Sequence, residues 1–305
     1  MTQWRRPNKP SGFLALPAEL RVRIYHLLLP YGQKIKFETV TSGRPGIRKP
    51  ESSWFAHTVD GRDRVPLGPA ECALFRVSKF VSDEARAVLY GENKFCFMVD
   101  SNQHIPLSLH SPLVFGPLGL GHRLGLLRNL RTIHLDVDTN DADVAWAVRR
   151  HRGRLDLFAR ILNEHAGDAN QESLLTRLHV ALHARPTSSE TALIAETGQQ
   201  RRTRHMFALE SLAALRGIEE VHIEGVPPWF GECLERCMQG QGGDVLAVEW
   251  PDVWVKRKAH PNARPKKRLV TTRKCYQPIF NWKEFAERNG IAVPEDIDKY
   301  WAVTR

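Results

Sequence analysis

The side chains whose spacing could bind an ion are Asp136, Asp138 and Asn140, which match the first three ligand positions of a calcium-binding loop. Such a loop also needs glycine at its sixth position and a bidentate glutamate at its twelfth. This chain has Asp141 and Ala147 there. The spacing therefore excludes an EF-hand and favours the end of a strand followed by a polar helix cap.

Two further patterns were tested for cofactor or metal chemistry. Gly119, Gly121 and Gly125 are spaced one residue too widely for a dinucleotide fingerprint, so a loop is predicted there. Cys233 and Cys237 lie four residues apart in a predicted helix, without a paired Cys or His set at zinc-site spacing. No G-x-S-x-G, Walker lysine loop or H-E-x-x-H motif occurs. We therefore predict no catalytic residues, no metal, no cofactor and no enzymatic activity.

Basic residues are concentrated near the end of the chain. They form two clusters: Lys256, Arg257 and Lys258, then Lys266, Lys267 and Arg268. This arrangement resembles a bipartite nuclear import signal with a short spacer. A solvated loop without a receptor, or nonspecific contact with phosphates, are the alternatives.

Composition limits the class of protein. The chain has 305 residues, 42% of them hydrophobic, and a net charge of +10. Nine Lys or Arg and no acidic residue lie between Lys256 and Lys274, so the rest of the chain is close to neutral and nucleic acid is not predicted as a partner. No signal peptide and no membrane span is predicted, and the five scattered cysteines favour a reducing compartment. These features predict a folded protein of the nucleus, the cytoplasm or both, without a membrane partner.

The segment that organises the N-terminal third is a predicted amphipathic helix at Phe13–Leu29. Glu19 lies in its first turn, Pro17 suits its first position, and Pro30 stops it. The apolar stripe comprises Leu16, Leu20, Ile24, Leu27 and Leu28, whereas Arg21, Arg23 and His26 fall outside it. This stripe must be buried, either in the protein's own core or against a partner.

The same residues carry a resemblance to an F-box. Leu16, Pro17, Glu19, Leu20, Ile24 and Leu28 match the spacing L-P-x-E-L-x-x-x-I-x-x-x-L. Leu74–Lys79 resembles the later L-x-x-V-C-K stretch, and Arg76–Phe97 is similar to the end of an F-box-like module in uncharacterised proteins of filamentous fungi. The resemblance implies docking to the Skp-type adaptor of a cullin-RING (SCF-type) ubiquitin ligase. It assigns the following partner-binding residues: Leu16, Pro17, Glu19, Leu20, Ile24, Leu28 and Val77.

The predicted domain organisation has five parts. They are a flexible arm at 1–12, an F-box-like module at 13–100 with an insertion at 32–70, an α/β region at 101–255, a basic disordered segment at 256–274, and a docked C-terminal helix at 275–305. The module should contain helices and a small sheet with strands at Lys34–Val40 and Lys94–Val99, an α+β arrangement.

The α/β region is predicted from short apolar runs separated by helical patterns. The strands are Leu127–Val137, Leu175–Leu182, Leu215–Ile223 and Asp244–Trp250, and the helices are Val144–His165, Met206–Leu215 and Trp229–Met238. The first three strands recur about 44 residues apart, which favours crossover connections and a parallel or mixed sheet. The phrase at 127–135 also resembles a degenerate leucine-rich repeat.

Two functions follow from these patterns. The first is an F-box-like substrate adaptor that binds an unidentified protein substrate. The alternative is a nuclear nucleic-acid-associated or scaffold protein in which the organising helix only forms part of the core.

Overall fold

A computed structural model of the protein describes residues 12–41, 50–58, 63–67, 73–99, 126–127, 129–138, 144–166, 174–183, 205–250, 252–256, 267–271 and 277–302. The chain divides into two compact units. The first comprises Met1–Cys96 with Asn129–Ile133, and the second comprises Phe97–Arg128 with His134–Arg305. Residues 1–11 of the predicted arm and the predicted glycine loop lie outside the described residues.

Seven strands form one mixed sheet. Their bounds are Lys34–Thr41 (β1), Pro50–His57 (β2), Arg64–Pro66 (β3), Lys94–Val99 (β4), Thr132–Asp138 (β5), Arg177–His183 (β6) and Glu220–Glu224 (β7). The strand order is β3-β2-β1-β4-β5-β6-β7. Pairing is antiparallel between β1 and β2 and between β2 and β3, and parallel between β1 and β4 and between β6 and β7. A mixed α/β fold is thus confirmed, and the two predicted N-terminal strands, β1 and β4, are neighbours within the seven-stranded sheet and not in a small sheet of their own.

The first unit packs two α-helices through a small apolar core. Helix α1 is Ala18–Leu28 and helix α2 is Lys79–Gly91, with 3-10 helices at Gly12–Ala15 and Leu74–Arg76. The hydroxyl of Ser78 caps α2 by accepting a hydrogen bond from the Val81 amide at 3.2 Å. The buried core consists of Tyr25, Leu29, Val81, Ala85 and Val88.

A buried asparagine fixes where the helices of this unit end. The Asn93 amide donates to the carbonyls of Pro30 and Leu89, each at 2.8 Å, and its oxygen accepts from the Gln33 amide at 3.0 Å. Pro30 follows α1, Leu89 lies in the last turns of α2, and Gln33 precedes β1. One side chain therefore satisfies backbone groups at three chain turns that would otherwise lack partners.

The second unit alternates strands with helices, as the sequence predicts. Helix α3 is Val144–Ala166, α4 is Pro228–Met238 and α5 is Trp282–Arg288, with 3-10 helices at Met206–Ala214 and Ile297–Tyr300. Helix α3 buries Val148, Leu155, Phe158 and Leu162 at helical spacing. Gly290 follows the C-terminus of α5 with a positive φ of 67°, a conformation that favours glycine. None of the described helices combines the length and apolarity needed to cross a membrane.

Two predictions near the C-terminus are wrong. Asp244–Trp250 is not a strand of the sheet, because its only described bridge pairs Ala247 with Phe280. The basic segment at 256–274 is not entirely without structure, because Lys267–Thr271 (β9) pairs antiparallel with Asp252–Lys256 (β8) in a separate two-stranded sheet.

A buried carboxylate holds the C-terminal segment against the 3-10 helix at Met206–Ala214. Glu210 accepts hydrogen bonds from the Ile279 amide at 3.0 Å and the Trp282 indole at 2.7 Å, and it pairs with Arg152 at 3.1 Å. Burial raises the pKa of Glu210 to about 7, although the Arg152 charge and these hydrogen bonds act in the opposite direction. The C-terminal segment is therefore docked through polar as well as aromatic contacts.

The raised pKa of Glu210 makes the stability of the folded protein decrease as the pH rises. The folded state binds a proton at Glu210 more tightly than the unfolded state, so the stabilisation is complete below pH ~4.5 and is lost as the pH rises through about 7. Between pH ~4.5 and about 7, the free energy of unfolding should therefore fall less in Glu210→Gln than in the unmutated protein. Urea denaturation at these pH values measures both. Equal slopes in the variant and the unmutated protein would contradict the assignment.

Candidate functional site

Helix α1 buries the side that carries Arg21 and Tyr25 and exposes the side that carries its leucines. Arg21, Tyr25 and Leu29 are buried, whereas Leu20 is 43% exposed and Leu27 is 85% exposed. Leu20 and Leu27 are seven residues apart and so share one side of the helix. Of the two alternatives that the sequence leaves open for the apolar stripe, Leu20 and Leu27 therefore do not form part of the protein's own core.

The inward side of α1 is held by a charged network. Arg21 donates to both carboxylate oxygens of Glu84 on α2, at 2.6 and 3.0 Å, and its other terminal nitrogen donates to the Leu16 carbonyl at 2.5 Å. The Tyr25 hydroxyl donates to Glu84 at 3.0 Å. This bidentate geometry fixes the rotation of α1 about its axis as well as its distance from α2.

Electrostatics keep this network in one protonation state. The hydrogen bond from Arg21 holds the pKa of Glu84 below its ordinary value, against burial, and Tyr25 contributes in the same direction. Burial and the hydrogen bond to Glu84 raise the pKa of Tyr25 to about 12. At neutral pH the carboxylate is therefore ionised and the phenol is neutral, as the observed hydrogen bonds require.

The seven predicted partner-binding residues all belong to the first unit, and their exposure is as follows. Pro17, Glu19, Leu20, Leu28 and Val77 are exposed, and Leu16 and Ile24 are half-buried. None of the seven is fully buried. They line the outward side of α1 and the turn that precedes α2.

Three exposed apolar residues were not among the predicted partner-binding set. Leu27 was assigned to the stripe without a role, and Leu14 and Phe80 were not singled out; Leu14 is 42% and Phe80 is 50% exposed. The Phe80 ring lies 5.1 Å from the Arg21 guanidinium, which places it beside the first turn of α1. The sequence signal for Phe80 was its position next to the L-x-x-V-C-K-like stretch.

The remaining chemical candidates are placed differently. Cys233 and Cys237 are buried in α4, and burial raises the pKa of the Cys233 thiol to about 12, so it is a poor metal ligand. In the backbone register, Lys256 lies opposite Lys267 and Val255 lies opposite Arg268. Arg257, Lys258 and Lys266 lie outside the described residues.

Comparison of the chain with protein-family models, with curated proteins and with solved structures finds no match. The case for a function therefore depends on the residue pattern of the chain and on the geometry of its described residues.

The orientation of α1 predicts which of its side chains contribute to the stability of the protein. Tyr25→Ala removes a fully buried ring and should lower the free energy of unfolding by about 3–5 kcal/mol, because a cavity remains. Leu27→Ala should change it by less than about 0.5 kcal/mol, although leucine is the more apolar residue. Urea denaturation measures both values.

Tyr25→Phe serves as the matched control, since it keeps the ring and removes only the hydrogen bond to Glu84, at a cost of about 1 kcal/mol. A large loss of stability in Leu27→Ala would show that α1 buries its leucines instead.

Proposed function

We propose that this protein is an F-box-like adaptor, which binds the Skp-type subunit of a cullin-RING ubiquitin ligase through the outward face of α1. The observation that carries this proposal is the orientation of α1, with Arg21 and Tyr25 inside and its leucines outside. The residues that resemble the F-box pattern are thereby accessible to a partner.

Exposed leucines on a helix need a physical reason. Leu20, Leu27 and Leu28 are all exposed on α1, and Val77 and Phe80 are exposed at the start of α2. A cluster of apolar side chains on one compact unit is typical of an interaction surface, because leaving it in water is unfavourable. Leu20, Ile24 and Leu27 are spaced at i, i+4 and i+7, and a helix with apolar anchors at this spacing is suited to bind in the groove of a partner.

Charged residues beside these apolar anchors are suited to the polar rim of an interface. Glu19 and Arg23 are exposed on α1 next to Leu20. Interfaces commonly surround an apolar centre with solvated charges that orient the partner. Since the Arg21–Glu84 pair is already formed in the free protein, α1 needs no rearrangement to expose its anchors.

The departures from the F-box pattern are accommodated in the first unit. Val81 stands where an F-box commonly has tryptophan, and it is buried against Tyr25 and its neighbours in the core. The described part of the insertion forms β1, β2 and β3 and leaves Leu20 and Leu27 exposed. In this proposal the second unit binds the protein substrate.

The test is binding to a purified Skp-type adaptor. We expect the double variant Leu20→Ala/Leu27→Ala to bind on the order of thirtyfold more weakly than the unmutated chain, since a central anchor contributes about 2 kcal/mol. The free energy of unfolding should change little, because both side chains are exposed. Biolayer interferometry measures the Kd, and urea denaturation measures the stability.

The matched control is Leu246→Ala, which truncates a leucine that is 55% exposed in the second unit. This variant should bind the adaptor with unchanged affinity. The proposal is wrong if the unmutated chain does not bind the adaptor, or if the control loses as much affinity as the double variant.

We also propose that the basic segment directs the protein to the nucleus. Its two clusters begin at the last residue of β8 and end within the first residues of β9, and these two strands form a two-stranded sheet separate from the seven-stranded one. A two-stranded sheet contributes little to the stability of a domain. Basic side chains in this segment can therefore be replaced without loss of the fold.

Alanine at both clusters should move a fluorescently tagged protein from the nucleus to the cytoplasm, with an unchanged Tm. The replaced residues are Lys256, Arg257, Lys258, Lys266, Lys267 and Arg268. Arginine at the four lysines keeps the charge and should keep nuclear accumulation. Nuclear accumulation of the alanine variant would contradict the proposal, and a large fall in Tm would show that the segment is packed.

A further inference from the structure

Strands β5, β6 and β7 share a local sequence motif. A histidine stands between two apolar residues in Ile133-His134-Leu135, in Leu178-His179-Val180 and in Val221-His222-Ile223. The flanking apolar residues are buried, whereas the three histidines are half-buried or exposed. Because side chains alternate along a strand, each motif places its imidazole on the face opposite the core.

The strand register brings two of these imidazoles together. His179 on β6 lies directly opposite His222 on β7, and their ring centroids are 5.0 Å apart. The His134 ring contacts the His179 ring edge-on at 4.3 Å. Local spacing alone does not show this cluster, because it depends on how β6 pairs with β7.

A carboxylate completes the cluster. Glu224 lies two residues after His222 and therefore on the same face of β7. One of its oxygens, Oε1, lies 3.2 Å from His179 Nε2 and 3.0 Å from His222 Nε2. The three potential ligand atoms all lie within 4.8 Å of one another.

We propose that His179, His222 and Glu224 bind a zinc ion, with the fourth coordination position open to water. Ligands at about 2.0–2.1 Å from zinc are separated by roughly 3.4 Å in a tetrahedral site, which is close to the two nitrogen-to-oxygen distances observed. Two imidazoles and one carboxylate form a ligand set of the open zinc type. This site is independent of the proposed adaptor function.

The ligand types distinguish zinc from the harder cations. Mg²⁺ and Ca²⁺ prefer sites built from oxygen ligands, and they need six or more of them. This cluster offers two imidazole nitrogens and one carboxylate. Zn²⁺, and Co²⁺ as its spectroscopic substitute, are therefore the expected ions.

The elements around the cluster make it rigid. Gly225, which follows Glu224, has a φ of 81°, and a side chain there would collide with the Leu182 carbonyl of β6. The end of β7 is thus packed closely against β6. Glu235 on α4 accepts a hydrogen bond from the Ile223 amide at 2.7 Å, and its Oε1 lies 3.7 Å from His222 Nδ1. The hydrogen bond to Ile223 thus anchors Glu235 to the backbone of β7 beside the His222 ring.

A neighbouring histidine pair provides an internal control. Asp136 Oδ1 lies 2.9 Å from His134 Nε2 and 3.1 Å from His183 Nε2, so this pair shares a carboxylate of its own. His183 is exposed and is not one of the three proposed ligands. Its substitution tests whether zinc binds specifically or to any surface histidine.

The experiment is isothermal titration calorimetry of the tag-free full chain with zinc chloride. One zinc ion per chain is expected, and His222→Ala and Glu224→Gln should each weaken binding by at least about tenfold. His183→Ala should bind zinc with unchanged affinity and stoichiometry. Zinc should also raise the Tm of the unmutated chain and of His183→Ala, because it binds only the folded sheet.

Two measurements keep the result interpretable. The side chains of His222 and Glu224 are 60% and 52% exposed. Without metal, His222→Ala and Glu224→Gln should therefore have the same Tm as the unmutated chain without metal. Co²⁺ should give the visible absorption of a four-coordinate ion in the unmutated chain and not in His222→Ala. Absence of zinc binding, or a loss in His183→Ala equal to that in His222→Ala, would overturn the proposal.

Discussion

The arrangement of the first unit depends on the ion pair between Arg21 and Glu84. A buried guanidinium is unfavourable unless its donors are satisfied, and here both oxygens of Glu84 and the Leu16 carbonyl accept them. With the charged side of α1 satisfied against α2, the leucines on its other side remain in solvent. The pair therefore determines both the internal packing and the surface that a partner would meet. An apolar residue at position 21 would remove the main reason for this rotation of the helix.

This dependence shows where prediction from sequence succeeds and where it ends. Strand β4 was predicted at its observed bounds, Lys94–Val99, and α3 within one residue, because alternation and helical periodicity are local properties. The sequence predicted the apolar stripe of α1 but not whether it faces the core or a partner, because the partner of Arg21 lies 63 residues away. Asp244–Trp250 has the composition of a strand, but it pairs only through the bridge at Ala247. A strand requires a neighbour along its whole length, and composition alone cannot supply one.

The α1 surface and the histidine cluster also differ in how far the sequence alone predicts them. Leu20, Leu28 and Val77 were assigned from a pattern within short segments, and each is exposed as a docking residue must be. The histidine cluster contains no local metal motif, since His179 and His222 come from different strands. The recurring apolar-His-apolar triplets indicate only which face of the sheet each imidazole occupies. The ligand set follows from the parallel register of β6 and β7, which long-range packing determines.

The two surfaces make opposite physical demands, and this makes each a check on the other. Binding at α1 requires apolar area and tolerates small shifts of its anchors, whereas a zinc site requires its ligand atoms to be placed within a few tenths of an ångström. The α1 surface belongs to the first unit and the histidine cluster to the second. Zinc binding at the proposed site would therefore report whether β6 and β7 are correctly paired in a variant that no longer binds the adaptor. A variant of α1 that loses both properties has lost more than a docking contact, whereas one that keeps zinc binding and also keeps the free energy of unfolding has lost only that contact.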